Sequence, residues 1–103
     1  MRFLVQARIP VEHGNAAIKD GSLLSNIQKY LDQTKPEAVY FSSADGQRTI
    51  FFVLNIEAEH NLPEIYEPLW LDLHADLQVY PVLNAADFAK AGPGIERVVA
   101  SRR

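Results

Sequence analysis

The pattern of apolar and polar residues predicts an α+β fold. The order is β-α-β-β-α-β plus a C-terminal helix, with one four-stranded antiparallel sheet and both main helices on one of its faces. Three observations predict it. Residues 2–9 alternate, with Phe3, Val5, Ala7 and Ile9 pointing one way and Leu4, Gln6 and Arg8 the other. Residues 39–56 hold two β-rich runs joined at Asp45-Gly46, a pair that tolerates the positive φ a type I′ hairpin turn needs. Two further stretches, about 11–33 and 62–73, repeat their apolar residues at helical spacing.

The first strand ends at Pro10, which has no N–H to give to a ladder. A helical region then runs from about Val11 or Asn15 to Gln33, with Ala17, Leu24, Ile27 and Leu31 on its dry side. Gly21-Ser22 interrupts it, and two poor helix formers in a row predict a kink or two helical pieces. Lys35-Pro36 stops the helix. In the hairpin, pairing Ala44 with Gln47 sets Phe41 against Ile50, Val39 against Phe52, Tyr40 against Phe51, Ser42 against Thr49 and Ala38 against Val53. Both faces of this hairpin are largely apolar, which predicts a place in the centre of the sheet.

Asn61 followed by Glu64 has capping-box spacing for a second helix marked by Leu62, Ile65, Leu69 and Leu73. Pro68 inside it predicts a kink or a restart. Residues 77–83 make the last strand, at an edge or ending near Pro81. Asn84 caps a short helix, 85–91, which Gly92 and Pro93 end. Beyond them Ile95, Val98 and Val99 need a docking surface or they fray. The chain reads as a single domain, 1–83 as core and 84–103 as C-terminal helix and tail.

Composition excludes several classes of function. Forty-eight per cent hydrophobic residues exclude a disordered chain, and no apolar run approaches the ~20 residues of a membrane span. With no cysteine there is no disulfide framework, thiolate zinc site or cysteine nucleophile. We expect a cytoplasmic protein without membrane or nucleic-acid partners. The formal charge is −3, and no Lys or Arg stands between Arg48 and Lys90, where seven carboxylates do. The strand Arg48-Thr-Ile-Phe-Phe-Val53 lacks the glycine and the first stacking aromatic of an RNA-recognition strand.

If Phe3, Val5, Val39, Phe41, Ile50, Phe52, Leu77 and Val79 meet the helices, the other face presents Leu4, Gln6, Arg8, Tyr40, Ser42, Thr49, Phe51, Val53, Gln78 and Tyr80. Its apolar members form a patch that monomers seldom leave exposed, so a homodimer is expected. This order resembles the dimeric α/β-barrel superfamily, ferredoxin-like domains whose two sheets close on each other, including relatives of muconolactone isomerase and the antibiotic-biosynthesis monooxygenases. At finer grain Lys35-Pro-Glu-Ala-Val-Tyr-Phe41, Asp45-Gly-Gln-Arg-Thr49, Glu67-Pro-Leu69 and Pro81-Val82 are similar to a bacterial family of that fold with no established activity. The resemblance implies a dimeric barrel with a central cavity and carries no catalytic residue onto this chain.

The candidate ligand-binding residues are Arg8, Gln6, Tyr40, Tyr80 and His74. A guanidinium beside amide and phenol donors suits a small anion or an enolate; alternatively Arg8 reaches the rim and pairs with a carboxylate of a partner subunit. His13 and His60 read as solvated residues near helix starts. His74 lies just before the last strand, where it either reaches a cavity mouth or meets a helix C-terminal dipole. Asp72, His74 and Asp76 diverge at i, i+2 spacing, so no metal site is expected, and no cofactor motif stands out. Tyr66 and Trp70, four apart, read as core or subunit contact. Three functions stay open: a module binding a small anionic or aromatic ligand, a cofactor-independent isomerase or monooxygenase on an enolic or aromatic substrate, and a purely structural or interaction protein.

Overall fold

The computed structural model describes residues 1–103. Its elements are β1 (Arg2–Ile9), α1 (Val11–Asp20), α2 (Ser22–Thr34), β2 (Ala38–Ser42), β3 (Arg48–Asn55), α3 (Leu62–Leu73), β4 (Asp76–Pro81), α4 (Ala85–Lys90) and α5 (Gly92–Ala100). All strand pairs are antiparallel, in the order β2-β3-β1-β4. This is an α+β chain with one four-stranded sheet, compatible with the ferredoxin-like arrangement. None of its helices is long and apolar enough to cross a membrane.

The core lies on one side of the sheet only. Val5, Ala7 and Ile9 of β1 and Ile50, Phe52 and Leu54 of β3 are buried against Ala17 of α1, Leu23, Ile27 and Tyr30 of α2, and Leu69 and Leu73 of α3. The period-2 alternation of β1 and β3 and the helical period of α1–α3 thus meet in one layer. The helix interruption falls where Gly21-Ser22 predicts it: Gly21 has φ 81°, a left-handed turn between α1 and α2. There the hydroxyl and backbone N–H of Ser22 hold the Asp20 carboxyl below its usual pKa.

The hairpin pairs in the predicted register, from Ala38–Val53 through Tyr40–Phe51 to Ser42–Thr49. Asp45 and Gly46 have φ 53° and 76°, and the Gln47 N–H donates to the Ala44 carbonyl at 3.1 Å. Positive φ at both central residues with that hydrogen bond is the geometry sought from Asp-Gly.

Four expectations are corrected. The hairpin is not central: β3 is, but β2 is an edge strand, and Phe41, expected under the helices, is 63% exposed. The buried parts of α1–α3 pack over β1 and β3, which leaves the helix-side face of β2 thinly covered. The Asn61 side chain makes no capping bond, because a 3-10 turn at Glu59–Asn61 runs straight into α3. Of the kink or restart expected at Pro68, the restart does not occur: α3 runs through it as one element. Pro68 removes the donor that would reach the Glu64 carbonyl, and in the same turn the Tyr30 hydroxyl donates to the Ile65 carbonyl at 2.9 Å. Finally, Gly92-Pro93 open a second helix, α5, where they were expected only to end the first.

Helices α4 and α5 extend the molecule. The radius of gyration is 17.2 Å and the long axis 60 Å, against about 13 Å for the radius of a compact chain of this size. Neither helix has a buried residue.

Candidate functional site

The face of the sheet opposite α1–α3 collects the side chains that could bind a ligand. Strand parity and register place them in rows. One row runs Tyr40, Phe51, Gln6, Gln78; the next, Ala38, Val53, Leu4, Tyr80; a third, Ser42, Thr49, Arg8, Asp76. Tyr40 is 66% and Tyr80 46% exposed. Phe51, Val53, Leu4 and Gln6 are half-buried by their neighbours. The Tyr80 hydroxyl donates to the Gln78 side-chain oxygen at 2.7 Å.

Arg8 stands at one end of this face. Its Nη2 meets Asp45 Oδ2 at 2.8 Å, and its Nε is buried without any hydrogen-bond partner. The stem lies beside Thr49, itself buried, whose hydroxyl donates to the Gln47 carbonyl at 3.0 Å. The counter-ion is therefore a carboxylate of the same chain, supplied by the hairpin turn. Asp45 is 77% exposed, so this pair is weak in water.

Arg2 marks the opposite end. Its Nε donates to the Glu37 carboxylate at 2.9 Å and its Nη1 to Asp87 of α4 at 2.8 Å. The Glu37 hydrogen bond raises the Arg2 pKa, partial burial opposes the shift, and the charges of Glu37 and Asp87 add to it. This bridge is the polar link between α4 and the sheet.

Four of the five candidates, Arg8, Gln6, Tyr40 and Tyr80, share this face. His74 stands apart: it caps α3 with φ 54°, and its ring stacks on that of His13 in α1, centroids 3.7 Å apart and 18° from parallel. His13 Nε2 lies 3.1 Å from the Asp72 carbonyl, to which its N–H donates. So His13, not His74, satisfies a free carbonyl at the end of α3. Two parallel imidazoles do not converge on a common point as metal ligands would, and no cluster of three His, Asp or Glu side chains is placed to hold an ion.

Asp45 and Asp76 are the carboxylates beside Arg8, a pairing that the sequence pattern does not signal for either. Register brings in Asp76, as the β4 partner of Arg8. The turn brings in Asp45, by curling back over the row holding Arg8.

No family model and no curated protein matches the chain. Among solved structures it is similar to the de novo designed protein Ferredog-Diesel, at 13% identity and a TM-score of 0.48, over 79% of this chain and 85% of that one.

Proposed function

We propose that the protein is a homodimer of ferredoxin-like subunits whose open sheet faces turn toward each other, as in a dimeric α/β barrel, and enclose a chamber for a small anionic or aromatic ligand. One observation carries the reading: a sheet face without a helical cover bears an aromatic wall and the Arg8 guanidinium, whose carboxylate partner, Asp45, is itself exposed. Apolar walls with a few convergent polar groups are what small-ligand sites need. A guanidinium stays charged at every physiological pH, so its donors suit a carboxylate or an enolate oxygen. The catalytic alternative has less support, since His13 and His74 are spent on each other and on α3.

Two variants test the site in opposite directions, with benzoate as probe in a calorimetric or NMR titration. Arg8→Met keeps much of the stem and removes the charge, and should weaken benzoate binding at least tenfold. Asp45→Asn keeps a residue that tolerates positive φ and removes the competing carboxylate, so it should strengthen binding. Equal affinity in wild type and both variants would reject Arg8 as the anion site and favour the structural reading.

A further inference from the structure

Arg2, Arg8 and Arg48 all stand on the two central strands, and they differ in what they meet. Arg2 meets Glu37 and Asp87, and Arg8 meets Asp45. Arg48 meets no carboxylate. Its Nη1 and Nη2 both donate to one neutral oxygen, Asn15 Oδ1, at 3.2 Å, long for an N–H···O bond. Strand parity puts Arg48 on the helix side with Ile50 and Phe52, away from the open face that holds Arg8. Its guanidinium lies along the first turns of α1, where a Cβ at Gly14 would come within 2.6 Å of Nη1. Glycine inside a helix costs about 1 kcal/mol relative to alanine; here it leaves room for the cation against α1.

Beside Arg48 opens a cavity of about 480 Å³ between α2 and the edge strand β2, a volume usual for a small-molecule site. Ile50 closes its floor, Leu23, Ile27 and Leu31 of α2 form its wall, and Leu24 and Phe41, 67% and 63% exposed, its rim. Besides Arg48, its polar lining residues are occupied or turned away. Gln28 donates to Asp32 at 2.9 Å, the Thr49 hydroxyl donates to the Gln47 carbonyl, and Ser42, paired with Thr49, faces the open side by parity. Arg48 is left as the one lining group with charge to offer a ligand.

We infer that this cavity binds a medium-chain fatty carboxylate, with the head group on Arg48 and the chain between α2 and β2. Charge fixes both the class and the direction. A guanidinium without a carboxylate partner takes one in two parallel charge-assisted hydrogen bonds, whereas apolar walls demand an apolar remainder. Further along α2, the Asp32 carboxylate beside Gln28 repels an anion, so the head goes to Arg48 and the tail runs away from it. From Leu23 to Leu31 the helix rises about 12 Å, the reach of a chain like that of octanoate. The bound head replaces the long bonds to Asn15, and the chain covers Leu24 and Phe41, apolar surface that proteins seldom leave in water together. This site lies on the opposite side of the sheet from the chamber proposed above and does not depend on it.

Sodium octanoate is the probe, titrated into the full chain and followed by NMR. Methyl signals of Leu23, Leu24 and Ile27 and ring signals of Phe41 should shift together to saturation. Butyrate should bind at least tenfold more weakly, since each buried methylene contributes about a factor of four. Arg48→Met keeps much of the stem over Gly14 and removes the charge, so it should weaken octanoate at least tenfold and leave octanol unchanged. Leu24→Asp alters an exposed position and sets a negative charge at the rim, and it should weaken octanoate as well. No saturable shift at millimolar octanoate would overturn the site, as would equal affinity in wild type, Arg48→Met and Leu24→Asp. Octanoate binding lost in Arg8→Met but kept in Arg48→Met would put the head on the open face and also overturn it. A cavity silent to octanoate, with Leu24→Asp breaking up a dimer in sedimentation, would assign these residues to a subunit contact instead.

Discussion

Tyr30 offers the sharpest quantitative test of how the helices are held to the sheet. It is 4% exposed, its ring packs on Phe52 with centroids 5.1 Å apart, and its hydroxyl donates to the Ile65 carbonyl at 2.9 Å. Tyr30→Phe keeps the ring and deletes that hydrogen bond between α2 and α3. The expected cost at pH 7 is about 1 kcal/mol, the net worth of one neutral, partly buried hydrogen bond. Burial also raises the phenol pKa above its ordinary value, because the phenolate cannot be solvated there. The sign follows: a folded pKa above the unfolded one stabilises fully below pH ~10 and is lost as pH rises further, about 1.4 kcal/mol per unit. Wild type should therefore lose about 1.4 kcal/mol by pH 11 through this group, and the Phe variant should not. Urea unfolding at pH 7 and pH 11 reads both, and the gap between the two proteins should close or reverse at the higher pH. A variant that stays 1 kcal/mol less stable at both values would refute the argument, as would a wild-type-minus-variant absorbance titration with phenolate forming before unfolding.

Gly46→Val tests the hairpin turn. A Cβ at this position meets nothing within 4 Å and φ is 76°, so the cost is pure backbone strain, about 1–2 kcal/mol and larger for a branched residue. Gly46→Asn should recover most of it, and equal melting temperatures for all three would mean the turn does not set the register. Phe51→Glu puts a charge in the middle of the open face, and sedimentation should show monomers with native circular dichroism. Retention of the dimer would mean that the open faces do not meet.

The fold was legible wherever a short-range rule decides it. Alternation assigned β1 to its two faces. Asp45-Gly46 set a register that extends correctly to Ala38–Val53, since a hairpin transmits one pairing along its length. Gly21 marked its break because positive φ is cheap for glycine. What local rules do not contain is strand order. The apolar faces of β2 argued for a central strand, whereas it lies at an edge with Tyr40 and Phe41 exposed. The two facts are reconciled if the apolar character of β2 answers to contacts outside a single chain. The same reasoning covers α5, whose stripe of Ile95, Val98 and Val99 is excessive for a helix with no buried residue.

The candidate site divides along the same line. Parity alone brought Arg8, Gln6, Tyr40 and Tyr80 to one face, because in a sheet the side of every residue follows from the side of its neighbours. The partners of Arg8 and His74 depended instead on tertiary approach: Asp45 lies 37 positions along the chain from Arg8, and His13 lies 61 from His74. The consequence for Arg8 is specific. Asp45 signals turn chemistry in the sequence, yet the same φ of 53° lets it fold its carboxylate over the end of the sheet. Asp45 thus joins the strongest structural signal in the chain to its most exposed chemical question. A charge set on a turn is easily displaced, since an exposed ion pair contributes ~1 kcal/mol at most. An anion arriving at Arg8 would displace a weak partner, which is why the Asp45→Asn variant, and not the loss of Arg8 alone, separates a binding site from a structural ion pair.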